Sequence, residues 1–248
     1  MRESKIEWTE QTWNPVTGCT KISPGCKFCY AEVMAHRLQA MGAAGYQHGF
    51  APTLHEERLQ QPLRRKKPTI YFVNSMSDLF HENVPDAFIE QVMTVAAQTP
   101  QHTYQILTKR AERLPQFFSQ RPAPANVWLG VSVENRRHGL PRIDHLRQVN
   151  ARVRFLSVEP LLEHLGPMDL NGIHWVIVGG ESGPNARPMR LEWALAVRDQ
   201  CEASNVAFFF KQWGGWGVDG VRRAKQANGR LLAGRTWDAY PEPTGALL

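Results

Sequence analysis

Short apolar runs recur along the chain at intervals of roughly 20–35 residues, and polar or amphipathic stretches separate them. Six of the runs are almost continuously apolar and β-branched, which is typical of parallel strands buried on both faces. These six predicted strands cover 69–74, 103–108, 127–133, 153–158, 174–179 and 206–211. A further strand is predicted near 6–13.

The stretches between these runs predict helices, because their apolar residues fall on one helical face. The predicted helices cover 30–41, 85–99, 111–118, 139–148 and 191–204. Strands that alternate with helices in this way predict an α/β fold. We expect a partial or complete (β/α) TIM-type barrel of about six or seven parallel strands. A doubly wound open sheet is the alternative.

Two segments interrupt the alternation and suggest the domain organisation. The polar segment 42–67 ends in the basic cluster Arg64–Lys67, and we interpret it as an insertion that could cover the barrel mouth. The barrel domain, with its N-terminal cysteine loop, is predicted to span 1–211. Residues 212–248 are rich in Gly, Trp and Arg and predict a C-terminal cap. No linker separates two independent domains.

Composition and charge narrow the function classes. Of the 248 residues, 42% are hydrophobic and 21% charged, which is typical of a globular protein. The mean hydropathy is −0.40, no apolar run is long enough to span a bilayer, and the first residues lack an apolar signal segment. We therefore expect a cytoplasmic protein without a membrane partner. The net charge of +6 favours anionic partners such as nucleotides or nucleic acid.

Three of the four cysteines lie close together, with the spacing C-x6-C-x2-C at Cys19, Cys26 and Cys29. Three thiolates can hold three irons of a [4Fe–4S] cluster and leave the fourth iron open to another ligand. A structural zinc site would need a fourth ligand such as Cys201 or His36, and unligated thiols are the third interpretation. Cys201 is predicted to be a small buried side chain on its helix.

Polar residues follow each predicted strand, at the end where (β/α) barrels carry their chemistry. Glu159, Glu181 and Lys211 are the candidate catalytic residues. Gly179 and Gly180 would let a ligand approach the backbone closely, and Lys109 would supply positive charge for an anionic group. The alternative interpretation is that such residues simply begin solvated loops.

The chain resembles a phage-associated three-Cys-motif family of proteins that are described as similar to radical S-adenosylmethionine (SAM) enzymes. The resemblance rests on segments that run nearly from end to end. They are TWNPVTGC-x6-CxxCYA, VNSMSDLFH, SVEPLL, VIVGGESGP-x-ARPM, FFFKQWG and GRLLAGRTWD. The segment Cys26–Tyr30 resembles the second half of the radical SAM cluster loop, whereas the first gap of six residues is longer than the usual three.

The resemblance implies a partial TIM barrel in which Cys19, Cys26 and Cys29 bind [4Fe–4S]. SAM would bind the open iron, and its reductive cleavage would give a 5′-deoxyadenosyl radical that abstracts a substrate hydrogen. An electron donor of flavodoxin or ferredoxin type would supply the electron. The only Gly-Gly-Glu segment follows a much later strand than in radical SAM proteins. Asn74, Ser75 and Asp78 are therefore the better candidates to receive the SAM amino group.

Three functions remain open from the sequence. The first is a radical SAM enzyme that modifies or repairs a nucleoside, nucleotide or nucleic acid. The second is a non-enzymatic iron–sulfur or zinc protein of phage that binds nucleic acid, for which Trp213, Trp216 and Trp237 among basic residues would provide stacking surfaces. The same tryptophans would alternatively pack a cap against the barrel. The third is an iron–sulfur enzyme that uses the open iron as a Lewis acid.

Overall fold

The computed structural model of the protein describes Ser4 and residues 6–242. The strands are β1 (Gln11–Trp13), β2 (Val16–Thr17), β3 (Thr53–Leu54), β4 (Ile70–Val73), β5 (Thr103–Thr108), β6 (Val127–Ser132), β7 (Val153–Val158), β8 (Trp175–Gly179) and β9 (Ala207–Gln212). The helices are α1 (Tyr30–Ala40), α2 (Glu56–Leu59), α3 (Asp86–Gln98), α4 (Arg113–Phe118), α5 (Arg136–Arg147), α6 (Leu191–Ala203) and α7 (Lys225–Asn228).

One seven-stranded sheet carries the fold, with the strand order β1-β4-β5-β6-β7-β8-β9. The pairs β1–β4, β4–β5, β7–β8 and β8–β9 are parallel. The spatial order follows the chain order, as in (β/α) barrels, whereas a doubly wound sheet reverses direction at a switch point. In the described part of the chain β1 and β9 are the two edges, so the prediction of a partial barrel is confirmed.

The strands form where the apolar runs lie because both of their faces are covered. All five residues of β8 are buried, and only Arg154 in β7 is not fully buried. The predicted bounds of β5 and β7 match the structure. The first strand is shorter than predicted and begins only at Gln11, because Thr9 turns the chain there and bonds through its hydroxyl to the carbonyls of Gln11 and Ile70.

The chain divides into two compact units. The first comprises the residues up to Ile22 together with Cys29–Gly130 and Gln148–Arg152. Its core contains Trp13, Tyr71 and Tyr104, and the rings of the two tyrosines stack at 5.5 Å.

The second unit comprises Ser23–Phe28, Val131–Arg147 and the chain from Val153 onward. Aromatic rings also form its core. Trp175 packs edge-on against Phe209 at 6.0 Å and stacks on Tyr240 at 5.0 Å.

The segment 42–67 contains secondary structure of its own. Its strand β3 pairs antiparallel with β2, and the carbonyl of Arg58 in α2 accepts a 2.9 Å hydrogen bond from the Trp13 indole. The insertion is therefore tied to the first unit by backbone and side-chain bonds.

The tryptophans of the C-terminal segment are engaged inside the second unit. The indole nitrogens of Trp213 and Trp216 donate to the carbonyls of Leu231 and Ala186, at 2.8 and 2.6 Å. The ring of Trp237 lies 3.6 Å from the Arg235 guanidinium. These contacts favour the packed cap over free stacking surfaces for bases. None of the helices described here has the length and apolar composition that crossing a membrane requires.

We predict that Gly180→Ala is strongly destabilising. A β-carbon at Gly180 would lie 2.0 Å from the carbonyl oxygen of Trp213, which is backbone and cannot rotate away. The free energy of unfolding should fall by about 3 kcal/mol or more. Gly220→Ala is the control, because its left-handed φ of +71° has open space around it and should cost only about 1 kcal/mol. Equal losses in denaturant titrations of the two variants would contradict the prediction.

Candidate functional site

Two backbone hydrogen bonds hold Cys19 in place. The amide of Gly18 donates to the carbonyl of Met76, and the amide of Cys19 donates to the carbonyl of Phe50, both at 3.0 Å. Gly18 has a φ of +81°, and a β-carbon there would lie 2.1 Å from the carbonyl oxygen of Ala51. Only glycine fits this approach, so the residue before the first cysteine is fixed by the insertion.

The guanidinium of Arg110 contacts the sulfur of Cys19. Its Nη1 lies 3.4 Å from Cys19 Sγ and 3.3 Å from Asp78 Oδ2, while its Nε donates to Glu82 Oε2 at 2.6 Å. Burial disfavours the charged guanidinium, but the bonds to Glu82 and Asp78 outweigh that effect and raise the pKa of Arg110. The same bond to Arg110 lowers the pKa of Glu82 to about 2.

Asp78 is buried, and both of its oxygens are used within the first unit. Oδ1 accepts the Phe80 amide at 3.0 Å and the Thr108 hydroxyl at 2.7 Å. Oδ2 accepts the Lys109 amide at 3.0 Å in addition to Arg110. Asp78 thus fixes the chain after β5 and orients Arg110, and Lys109 contributes its backbone to this arrangement.

Asn74, the first residue after β4, is a buried polar residue. It is 2% exposed, and neither its Oδ1 nor its Nδ2 has a partner among the described residues. The neighbouring Ser75 is satisfied, since its hydroxyl donates to Asn14 Oδ1 at 3.2 Å and its carbonyl accepts the Tyr30 hydroxyl. Leaving a buried amide unpaired costs about 1–3 kcal/mol. The position is therefore suited to a ligand that both donates and accepts hydrogen bonds.

Cys29 is the residue before the first turn of α1 and is half-buried. It packs against a small core cluster that includes Ala31, Ala35 and Met76. The N-terminus of a helix favours a negatively charged group, and here that group would be a thiolate.

Cys26 lies in the second unit, on a 3₁₀ turn over Pro24–Cys26. Its amide donates to the Ser23 carbonyl at 2.9 Å, and its Sγ lies 3.7 Å from the Ser23 hydroxyl. A β-carbon at Gly25 would lie 3.0 Å from the side chain of Glu134. Glu134 is fully buried, so the turn approaches the end of β6 closely because Gly25 lacks a side chain.

Glu181 holds Arg187 against this turn. The Glu181 carboxylate accepts the Arg187 backbone amide, Nε and Nη2 at 2.9, 2.8 and 2.6 Å. Arg187 Nη2 also donates to the carbonyl of Pro24 at 3.0 Å, and its guanidinium lies over the Phe28 ring at 5.4 Å. The predicted residue Glu181 therefore acts through Arg187 on the loop that carries Cys26.

Glu159 and Lys211 form an ion pair at the ends of β7 and β9. Glu159 Oε1 lies 2.7 Å from Lys211 Nζ, and each side chain is less than one fifth exposed. A β-carbon at Gly179 would lie 2.8 Å from the same Oε1 atom. The close approach predicted at Gly179 and Gly180 thus occurs with groups of the chain itself, namely Glu159 and the Trp213 carbonyl.

The three thiols of the cysteine loop are of the chemical type that binds iron–sulfur clusters. None of the four cysteines, all of which the structure describes, is in a disulfide; Cys19, Cys26 and Cys29 are half-buried, whereas Cys201 is buried in α6. Burial raises the pKa of Cys201 to about 12, as for an inert core thiol. Among Ser4 and residues 6–242, no group of three or more His, Cys, Asp or Glu side chains stands in a metal-binding arrangement.

The sequence pattern does not predict the approach of Arg110, Glu134 and Arg187 to the cysteine loop. Their contacts with the cysteine loop link residues up to 163 positions apart. The one sequence signal for Arg110 and Glu134 is that each follows a buried strand within two residues. Arg187 has no comparable signal.

The fold and site together define an α/β protein with a sequential parallel sheet and a cysteine-rich loop. The chain belongs to the protein family of unknown function DUF5131, whose model matches residues 3–241. No curated protein matches the chain in sequence.

Several solved structures of spore photoproduct lyase are similar to the chain. One, complexed with dinucleoside spore photoproduct, has 14% identity and a TM-score of 0.49, and the match covers 80% of this chain and 62% of that chain. A mutant with bound AdoMet and the same dinucleoside has 15% identity and a TM-score of 0.48, with 71% and 57% covered. The chain therefore spans 57–62% of these two lyase chains.

We predict that Glu82→Gln lowers stability in a pH-dependent way. The pKa of Glu82 is depressed to about 2 in the folded protein, so its contribution is present above its unfolded pKa and disappears as the pH falls toward 2. Because the side chain is 60% exposed, the loss at pH 7 should be only about 0.5–1 kcal/mol. Denaturant titrations at pH 7 and at pH 2 or below measure it. A difference from wild type that persists at the lower pH would contradict the prediction.

Proposed function

We propose that the protein is an iron–sulfur enzyme of radical SAM type that acts on a nucleoside, nucleotide or nucleic acid. Cys19, Cys26 and Cys29 would hold a [4Fe–4S] cluster, and SAM would occupy the iron that has no cysteine. The assignment of the three ligands rests on their C-x6-C-x2-C spacing and on their half-buried thiols, which form no disulfide. When bound, this group supplies low-potential one-electron chemistry.

The observation that carries the proposal of a bound cofactor is the side-chain amide of Asn74, which has no hydrogen-bond partner in the described part of the chain. It is buried at the carboxyl end of β4, where barrels of this kind bind their ligands. The amino acid part of SAM carries an amino group that can donate hydrogen bonds and a carboxylate that can accept them. An asparagine amide can serve both, since it has one acceptor and one donor group. We assign Asn74 to this part of SAM, and Ser75 and Asp78 to the support of the same strand end.

Glu159 and Lys211 are the proposed substrate-facing residues. They lie at the ends of two parallel strands and neutralise each other. An anionic substrate group would compete with Glu159 for the Lys211 ammonium. That preference agrees with the net charge of +6 and supports a phosphate-containing substrate.

We predict that Cys26→Ala abolishes the cluster and Cys201→Ala does not. Cys26 is one of three ligands, whereas Cys201 is a buried core thiol. After anaerobic purification, Cys201→Ala should keep the iron and sulfide content of wild type, and Cys26→Ala should lose most of both. Full iron content in Cys26→Ala would remove this cysteine from the ligand set. Zinc in place of iron would instead favour a non-enzymatic metal protein that binds nucleic acid.

We predict that Asn74→Leu weakens SAM binding by about tenfold or more without destabilising the ligand-free protein. Leucine has nearly the same size, and the substitution removes two polar atoms that are buried and unpaired. Calorimetry with SAM on the anaerobic protein measures the affinity, and denaturant titration measures stability. Asn14→Leu is the contrasting variant, since Asn14 accepts bonds from Ser75 and Met76 and should lose stability. Unchanged SAM affinity in Asn74→Leu would contradict the assignment.

A further inference from the structure

Arg110 is the cation that contacts the sulfur of a proposed cluster ligand. We propose that Arg110 donates a hydrogen bond to Cys19 Sγ and thereby raises the reduction potential of the cluster. The inference rests on the proposed function above and extends it, because it assigns to this chain a residue that controls how easily the cluster accepts an electron.

The guanidinium is fixed in its orientation by bonds on its other nitrogens. Nε donates to Glu82 at 2.6 Å, and Nη2 donates to the hydroxyl and the carbonyl of Thr20 at 2.7 and 3.2 Å. The remaining nitrogen, Nη1, faces Asp78 Oδ2 at 3.3 Å and Cys19 Sγ at 3.4 Å. A planar guanidinium with this many hydrogen bonds is held in one orientation, so the bond to the sulfur does not depend on a mobile side chain.

The contact lies in a poorly solvated environment. The Arg110 side chain is 10% exposed and that of Asp78 is 8% exposed. Electrostatic interactions are stronger there than at the surface, because little water screens them. Asp78 and Glu82 also leave two carboxylates beside Cys19 if the guanidinium is removed. Arg110 therefore both donates to the sulfur and offsets these two negative charges.

Reduction of the cluster adds one electron and changes no covalent bond. The added negative charge is spread over the irons and sulfurs, so a cation and an N–H donor at a ligand sulfur stabilise the reduced form more than the oxidised form. Hydrogen bonds to the sulfurs and the local charge are general determinants of iron–sulfur potentials. In the experiment below, dithionite supplies the electron.

Arg113 provides a matched control in the same unit. It lies three residues further along the chain, and its guanidinium donates to the carbonyls of His81 and Val84 and pairs with Asp86. It therefore fixes the same 81–86 loop, and these three bonds are all to oxygen atoms. Substituting Arg113 tests what losing an arginine does to the loop, separately from the bond to sulfur.

The test is an EPR-monitored redox titration of the anaerobically purified full chain. The variants are Arg110→Met, Arg110→Lys and the controls Arg113→Met and Arg113→Lys. We expect Arg110→Met to retain its iron and to show an about tenfold lower ratio of reduced to oxidised cluster at a fixed potential. This ratio corresponds to a midpoint about 59 mV more negative. Arg110→Lys keeps the charge without the fork and should shift in the same direction by less.

The outcomes separate the inference from the function on which it rests. Both Arg113 variants should keep the wild-type midpoint. Iron-containing Arg110 variants with that same midpoint would overturn the role of Arg110 and leave the cluster proposal intact. Wild-type protein without iron would overturn both. If Arg110→Met does not fold, the midpoint potential of Arg110→Lys is compared with that of wild type and of the Arg113 variants instead.

Discussion

Buried polar groups at the carboxyl ends of the strands have to be satisfied by one another, because the strands beside them are covered on both faces. Within the first unit, Asp78 meets this requirement by accepting four hydrogen bonds, from the turn after β4, from the last residue of β5 and from the two residues that follow it. One of the donors is Arg110, whose Nη1 also contacts the sulfur of Cys19. The position of the first cysteine thus depends on a carboxylate 59 positions later in the sequence.

In the second unit, a different set of residues satisfies the buried polar groups. Both oxygens of the Glu181 carboxylate accept hydrogen bonds from Arg187, and Arg187 also donates to the carbonyl of Pro24. The turn that carries Cys26 is also close to buried Glu134, where Gly25 leaves room for its side chain. In each unit an arginine held by carboxylates contacts part of the cysteine loop. Asn74 departs from this pattern, since neither polar atom of its buried side-chain amide has a partner among the described residues. This exception is the reason to expect a ligand there.

The sequence pattern predicts the strands well because burial on both faces leaves a continuous apolar signal. Six strands and five helices lie within a few residues of their predicted bounds, and the sequential order follows from the alternation of strands and helices. The positions of Asn74, Asp78 and Glu159 at strand ends can be predicted from the sequence in the same way. The roles of Arg110, Arg187 and Glu134 cannot, because these residues reach the cysteine loop through tertiary contacts that leave no periodic pattern in the sequence. The closeness of Gly179 and Gly180 to Glu159 and Trp213 was likewise hidden, since a sequence cannot distinguish room for a ligand from room for a neighbouring side chain.

The most direct test of the central claim is the EPR spectrum of the dithionite-reduced wild-type protein, purified without oxygen and recorded with and without SAM. We expect about four irons and four sulfides per chain and a spectrum that changes when SAM is added, as a cluster with one open iron requires. A cluster whose spectrum is indifferent to SAM, or a protein that contains zinc instead of iron, would contradict it.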